Sequence, residues 1–166
     1  MTPPATTMVE KKAVPASMVT DVIEVTREVF DTMVFQEANP GTPRPPIDGE
    51  PRADVVATVA MTGPSNAVIT LYGSIDLAKS IAASMLGMDA AEINNEFADA
   101  IGEMANMIAG TFRNRMTALG GQWAISVPTV TVGQRIYTHY PEDVGRVVCP
   151  FDVTGHEFCV ELVLRT

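Results

Sequence analysis

Five prolines fall between Pro40 and Pro51, in the stretch NPGTPRPPIDGEPR. Each fixes φ and removes a backbone donor, so a segment this rich in proline can form neither a helix nor a central strand. It divides the chain into two kinds of pattern. Before it, Met18, Val22, Val25, Val29, Met33 and Val34 recur at helical spacing, which predicts a helix from Ser17, as its N-cap, to about Gln36. After it, residues 54–61 (DVVATVAM) and 67–73 (AVITLYG) read as strands around a TGPSN turn. Ile75–Leu86 reads as a short helix with Leu77, Ile81, Met85 and Leu86 inward and Gly87 as its C-terminal cap. A longer helix runs from about Asn94 to Leu119 and stops at Gly120–Gly121. Three strands follow, at 123–132, 145–153 and 157–164. The order α-β-β-α-α-β-β-β keeps strands apart from helices. It predicts an α+β fold, with helices packed on a mostly antiparallel sheet.

With 166 residues, 46% apolar and 19% charged, the chain has material for one globular domain, expected over 17–166 behind a loose leader at 1–16. Its formal net charge of −9 and the lack of a basic stripe exclude binding to a nucleic-acid backbone. No run approaches the ~20 apolar residues of a membrane span. The opening MTPPATTMVEKKAVPAS has no apolar signal-peptide core, so a cytoplasmic protein is expected. Cys149 and Cys159 flank a tight turn near Gly155, where strand alternation puts them on opposite faces of a hairpin as small buried hydrophobes. His139 and His156 stand isolated in loops, and the expectation is that the chain holds no metal ion.

The longer helix carries the functional signal. Placed at 100° per residue, Phe97, Ile101, Met104, Ala105, Ile108, Phe112 and Met116 form a core stripe. Asp99, Glu103, Asn106 and Gly110 gather opposite it, within about 60° of one another. A solvated helix face is normally filled with strong helix formers. Here Gly102, Asn106 and Gly110 are weak ones, each costing up to ~1 kcal/mol relative to Ala, and their short side chains leave a surface that another molecule could approach. Arg113 and Arg115, further along, would complement the negative C-terminal end of the helix. A solvated face that merely tolerates weak formers accounts for the same residues.

The run DAIGEMANMIAG contains D-x-x-x-E-x-x-N at Asp99, Glu103 and Asn106, and Pro128 follows in SVPTVTVG. This resembles the signature of the CheC/CheX/FliY phosphatases of bacterial chemotaxis, and the order of elements over 17–164 matches as well. The spacing from Asn106 to Pro128 is one residue shorter than usual, a change that falls in the helix-to-strand loop. The CheC-like members carry a second E-x-x-N on the first helix. Here Glu24 is followed three residues later by Arg27 and Glu28 by Asp31, so a single site is present, as in CheX.

The resemblance implies a phosphatase that hydrolyses the aspartyl phosphate of a CheY-like response regulator. Asn106 would position the attacking water, and Glu103 would pair with the regulator's active-site lysine. Asp99, Gly102 and Gly110 would contact the partner. The protein would bring no cofactor of its own, because the Mg²⁺ belongs to the phosphorylated regulator. A homodimer is expected, joined through sheet edges that the apolar runs VVCPF and FCVELVL would expose. The competing reading is a non-catalytic binding module, or adapter, for a response regulator or flagellar-switch component.

Overall fold

A computed structural model describes residues 12–47 and 49–165. The first helix, α1, spans Ala16–Val29 and widens into a π-helical turn over Phe30–Val34. The proline-rich stretch opens with a short strand, β1 (Ala38–Pro40). The hairpin β2 (Ala53–Thr62) and β3 (Asn66–Gly73) leads to α2 (Ile75–Leu86) and, after a single 3₁₀ turn, to α3 (Glu96–Ala118). Four strands complete the chain: β4 (Ala124–Ile125), β5 (Thr129–Ile136), β6 (Gly145–Val153) and β7 (His156–Arg165). The sheet runs β1-β6-β7-β3-β2-β4 with β5 also on β2, and every pairing is antiparallel. The fold is α+β, as the sequence predicts.

Among the described residues, α1, α2 and α3 all pack on one face of the sheet. Val22, Val25 and Phe30 of α1, Leu77 and Ile81 of α2, and Met104, Ile108 and Phe112 of α3 meet Val55, Val59, Ile69, Leu71, Phe158 and Leu162 in one buried core. Both caps of α2 follow from its sequence. The Ser74 hydroxyl accepts from Leu77 N–H at 3.1 Å, and Gly87 adopts the left-handed conformation that ends the helix. The β6–β7 hairpin turns on Thr154 and Gly155, both at positive φ. Cys149 pairs across to Val160 and Cys159 to Pro150, so the two thiols do lie on opposite faces. Burial pushes the Cys149 thiol up to about 11 and that of Cys159 to about 12, which keeps both protonated.

Two expectations are corrected. The strand expected over 123–132 is two strands, because Pro128 has no N–H to continue the ladder. In the gap, Ser126 stands in for a strand residue: its N–H donates to Ala60 O at 2.9 Å and its Oγ accepts from Ala60 N–H at 3.0 Å. The runs VVCPF and FCVELVL are not at an exposed edge. β7 is interior, between β3 and β6, while β6 is covered by β1 and by a bridge from Arg44 to Val148. The leader expected over 1–16 lies largely outside the described residues. Of the part that is described, Val14 packs against the core and Ala16 already belongs to α1.

The opposite face of the sheet is polar at its centre. Glu161 there is fully buried, accepting from Arg146 Nε at 2.6 Å and from the Tyr72 hydroxyl at 2.9 Å. The Tyr140 ring stacks over the Arg146 guanidinium at 5.0 Å. Burial first, and the Glu161 carboxylate second, push the Tyr72 phenol far above its ordinary value.

Candidate functional site

The fold of α3 follows from its stripe. Phe97, Ile101, Met104, Ala105, Ile108, Phe112 and Met116 are all buried, which fixes the helix's rotation and turns Asp99 and Glu103 to solvent. Asn106, one turn beyond Glu103 on the same side, is half-buried. Among the described residues, neither Glu103 nor Asn106 has a hydrogen-bond or ion-pair partner within the chain. The Asn106 carboxamide therefore keeps both its acceptor and its donors for something outside, on a side chain that its surroundings partly confine. Asp99 adds a second exposed carboxylate on the same face.

The two glycines of the face differ from the expectation. Gly102 is buried, and a Cβ built on it would sit 3.2 Å from Val130 Cγ2 and 3.9 Å from Pro128 Cγ. Its missing side chain makes room for the chain's own β5 rather than for a partner. Gly110 is half-buried, and a Cβ there would meet Ile125 Cδ1 at 4.0 Å. Residues 125–130 therefore run antiparallel along α3, from Gly110 back to Gly102, with Pro128 seated against the helix. Ile125 and Val130, which hold this wall in place, were not singled out in the sequence. Their apolar alternation in WAISVPTVTV reads simply as strand.

Arg115 also has a different role from the one expected. Instead of serving the helix end, its guanidinium bridges to α1, reaching Asp21 at 3.1 Å, Glu24 at 2.6 Å and Glu28 at 3.6 Å. The hydrogen bonds it donates to Glu24 and Asp21 raise its already high pKa further. The acids Asp21, Glu24 and Glu28 on α1 are thus engaged internally, and on α3 Glu96 accepts from the Asn94 N–H at 2.7 Å, whereas Asp99 and Glu103 have no such partner among the described residues. His139 is exposed in the loop before β6, and His156 is the half-buried first residue of β7. Among the described residues, no group of three or more His, Cys, Asp or Glu side chains is arranged to hold a metal ion. Within the same residues, no helix is long and apolar enough to cross a membrane.

An antiparallel sheet with three helices on one face, one of them presenting an outward acid–amide pair, defines a two-layer α+β domain with a solvent-facing site on a helix. Residues 55–152, more than half of the chain and the whole of α3, match the chemotaxis phosphatase CheX family, and the chain belongs to it. Solved structures agree on the fold. A CheC-like superfamily protein from Shewanella sp. PV-4 superposes with a TM-score of 0.84 at 23% identity, over 92% of this chain and all of that one. The chemotaxis protein CheX from Desulfovibrio desulfuricans gives 0.81 at 26% identity, over 90% of this chain and 99% of that one. CheX from Borrelia burgdorferi, solved in complex with CheY, BeF₃ and Mg²⁺, gives 0.77 at 20% identity, over 90% and 98%. No curated protein matches the sequence.

Proposed function

We propose that this chain is a phosphatase for the aspartyl phosphate of a CheY-like response regulator, acting through Asn106 and Glu103. The observation that carries the reading is the unpartnered acid–amide pair, one helical turn apart on the exposed side of α3, in a chain of the CheX family. The Borrelia CheX was solved bound to CheY with BeF₃ and Mg²⁺, which supports a receiver domain as the partner here.

An acyl phosphate is already activated, so the enzyme's task is to place one water in line with the phosphorus. Asn106 Oδ1 accepts a hydrogen bond from that water while its NH₂ donates to a phosphoryl oxygen. The water oxygen bonds to phosphorus, the bond from phosphorus to the regulator's carboxylate oxygen breaks to leave the free carboxylate, and both of the water's protons end on the inorganic phosphate as dihydrogen phosphate. Glu103, exposed one turn earlier, receives the regulator's lysine and sets the register of docking, with Asp99 adding negative charge beside it. The Mg²⁺ of the reaction belongs to the regulator. The encounter takes place in the cytoplasm, where such regulators work.

The test is phosphate release from a CheY-like regulator charged with acetyl phosphate, with and without the chain. Accelerated release supports the reading. Binding of the phosphorylated regulator without acceleration contradicts it and makes the protein an adapter. A homodimer, with two such sites per particle, is part of the same proposal. With β6 and β7 interior, its contact must use a surface other than those strands' edges. Light scattering at micromolar concentration should give twice the chain's 17.8 kDa, and a mass near 17.8 kDa would refute the dimer.

A further inference from the structure

Val127 is 84% exposed, yet its surroundings are firmly held. On one side Ser126 is tied to β2 by two hydrogen bonds to Ala60, and its Oγ donates to the Val127 carbonyl at 2.9 Å. On the other side Pro128 packs against α3 at Gly102. Isolated exposed valines are common and by themselves mean nothing. This one is distinguished by where it stands. Ile125 meets α3 at Gly110 and Pro128 meets it at Gly102, eight residues or about 12 Å apart along the axis. Asn106 is midway between those two glycines, and Val127 lies between Ile125 and Pro128. The valine is therefore an exposed apolar residue on a segment anchored at both ends, running alongside the stretch of α3 that carries the amide we assign to water positioning.

We propose, on the basis of that reading, that Val127 is a specificity-determining contact that seats the phosphorylated regulator over Asn106. The site then offers a partner two chemistries side by side: carboxylates at Glu103 and Asp99 for a lysine, and an apolar side chain at Val127 for apolar surface of the regulator. Such an apolar contact next to a polar one is how protein interfaces exclude bulk solvent at their centre. Val127 touches the partner and not the reacting atoms, so it governs affinity and leaves the chemical step alone.

The experiment compares KM and kcat for release of phosphate from an acetyl-phosphate-charged CheY-like regulator. Val127→Ser should raise KM roughly tenfold, the scale of losing one buried valine. At saturation kcat should stay within about twofold. Val127→Ile should keep the wild-type KM. Leu119→Ser is the control: Leu119 is 76% exposed, but it caps α3 about 20 Å beyond Asn106, and its variant should behave as wild type. Circular dichroism melts should match across all four proteins. An active wild type with an unchanged KM in Val127→Ser overturns the inference alone, as does an equal rise in Leu119→Ser. A wild type that releases no phosphate overturns the phosphatase reading and the inference with it.

Discussion

Two glutamates show how differently one residue type is used on the two sides of this molecule. Glu161, on the sheet face away from the helices, is fully buried and accepts from both Arg146 and Tyr72. Glu103, on the outer side of α3, is exposed and meets no partner within the described chain. Burying a carboxylate is tolerable only where charge and hydrogen bonds compensate it, so the satisfied glutamate is part of the architecture. An exposed acid beside an unpartnered amide adds nothing to the fold. On the proposed function, its value lies in what arrives from outside.

Removing one side of the buried pair should therefore have the largest effect on stability. Glu161→Ala leaves Arg146 and the Tyr72 hydroxyl without their acceptor and should cost about 3 kcal/mol in urea unfolding. Glu161→Gln keeps an acceptor of the same shape and should cost distinctly less. If Glu161→Ala unfolded at the wild-type urea concentration, the buried pair would not be the structural element described here.

Arg115 lies between these extremes. Its contacts to Asp21, Glu24 and Glu28 join α1 to α3 but remain partly solvated. Arg115→Ala should cost about 1 kcal/mol or less, and the loss should shrink in high salt. A loss that persists in molar salt would mean that the contact is apolar packing by the arginine stem.

Glu103→Ala should be the mildest for the fold, within about 0.5 kcal/mol of wild type in the same unfolding measurement. Its effect belongs to recognition instead. Affinity for the phosphorylated regulator should fall, and unchanged affinity would remove Glu103 from docking.

What could be read from the sequence was local. The helical stripe from Phe97 to Met116 fixes which side of α3 faces out, so the placement of Asp99, Glu103 and Asn106 on that side was legible from spacing, while their reading as a site came from the resemblance of the D-x-x-x-E-x-x-N run. The Gly87 end of α2 and the tight turn near Gly155 were legible as local signals too. What stayed hidden depends on contacts between distant segments. Gly102 looks like an open patch until Pro128 and Val130 are seen against it. Arg115 looks like a helix-end charge until α1 is placed alongside. The strands β6 and β7 look like an edge because hydrophobicity does not reveal strand order, and β7 inserts beside β3.

The central claim is that Asn106 does chemistry while the fold is held by other residues, and one comparison tests it most directly. Phosphate release from an acetyl-phosphate-charged CheY-like regulator is measured for wild type and for Asn106→Ala at saturating regulator, alongside their melting curves. Asn106 is half-buried and unpartnered within the described chain, so the melts should nearly coincide. The rate should fall by about 10²–10³, the usual loss for one preorganised polar group. A variant that turns over at the wild-type rate would contradict the account.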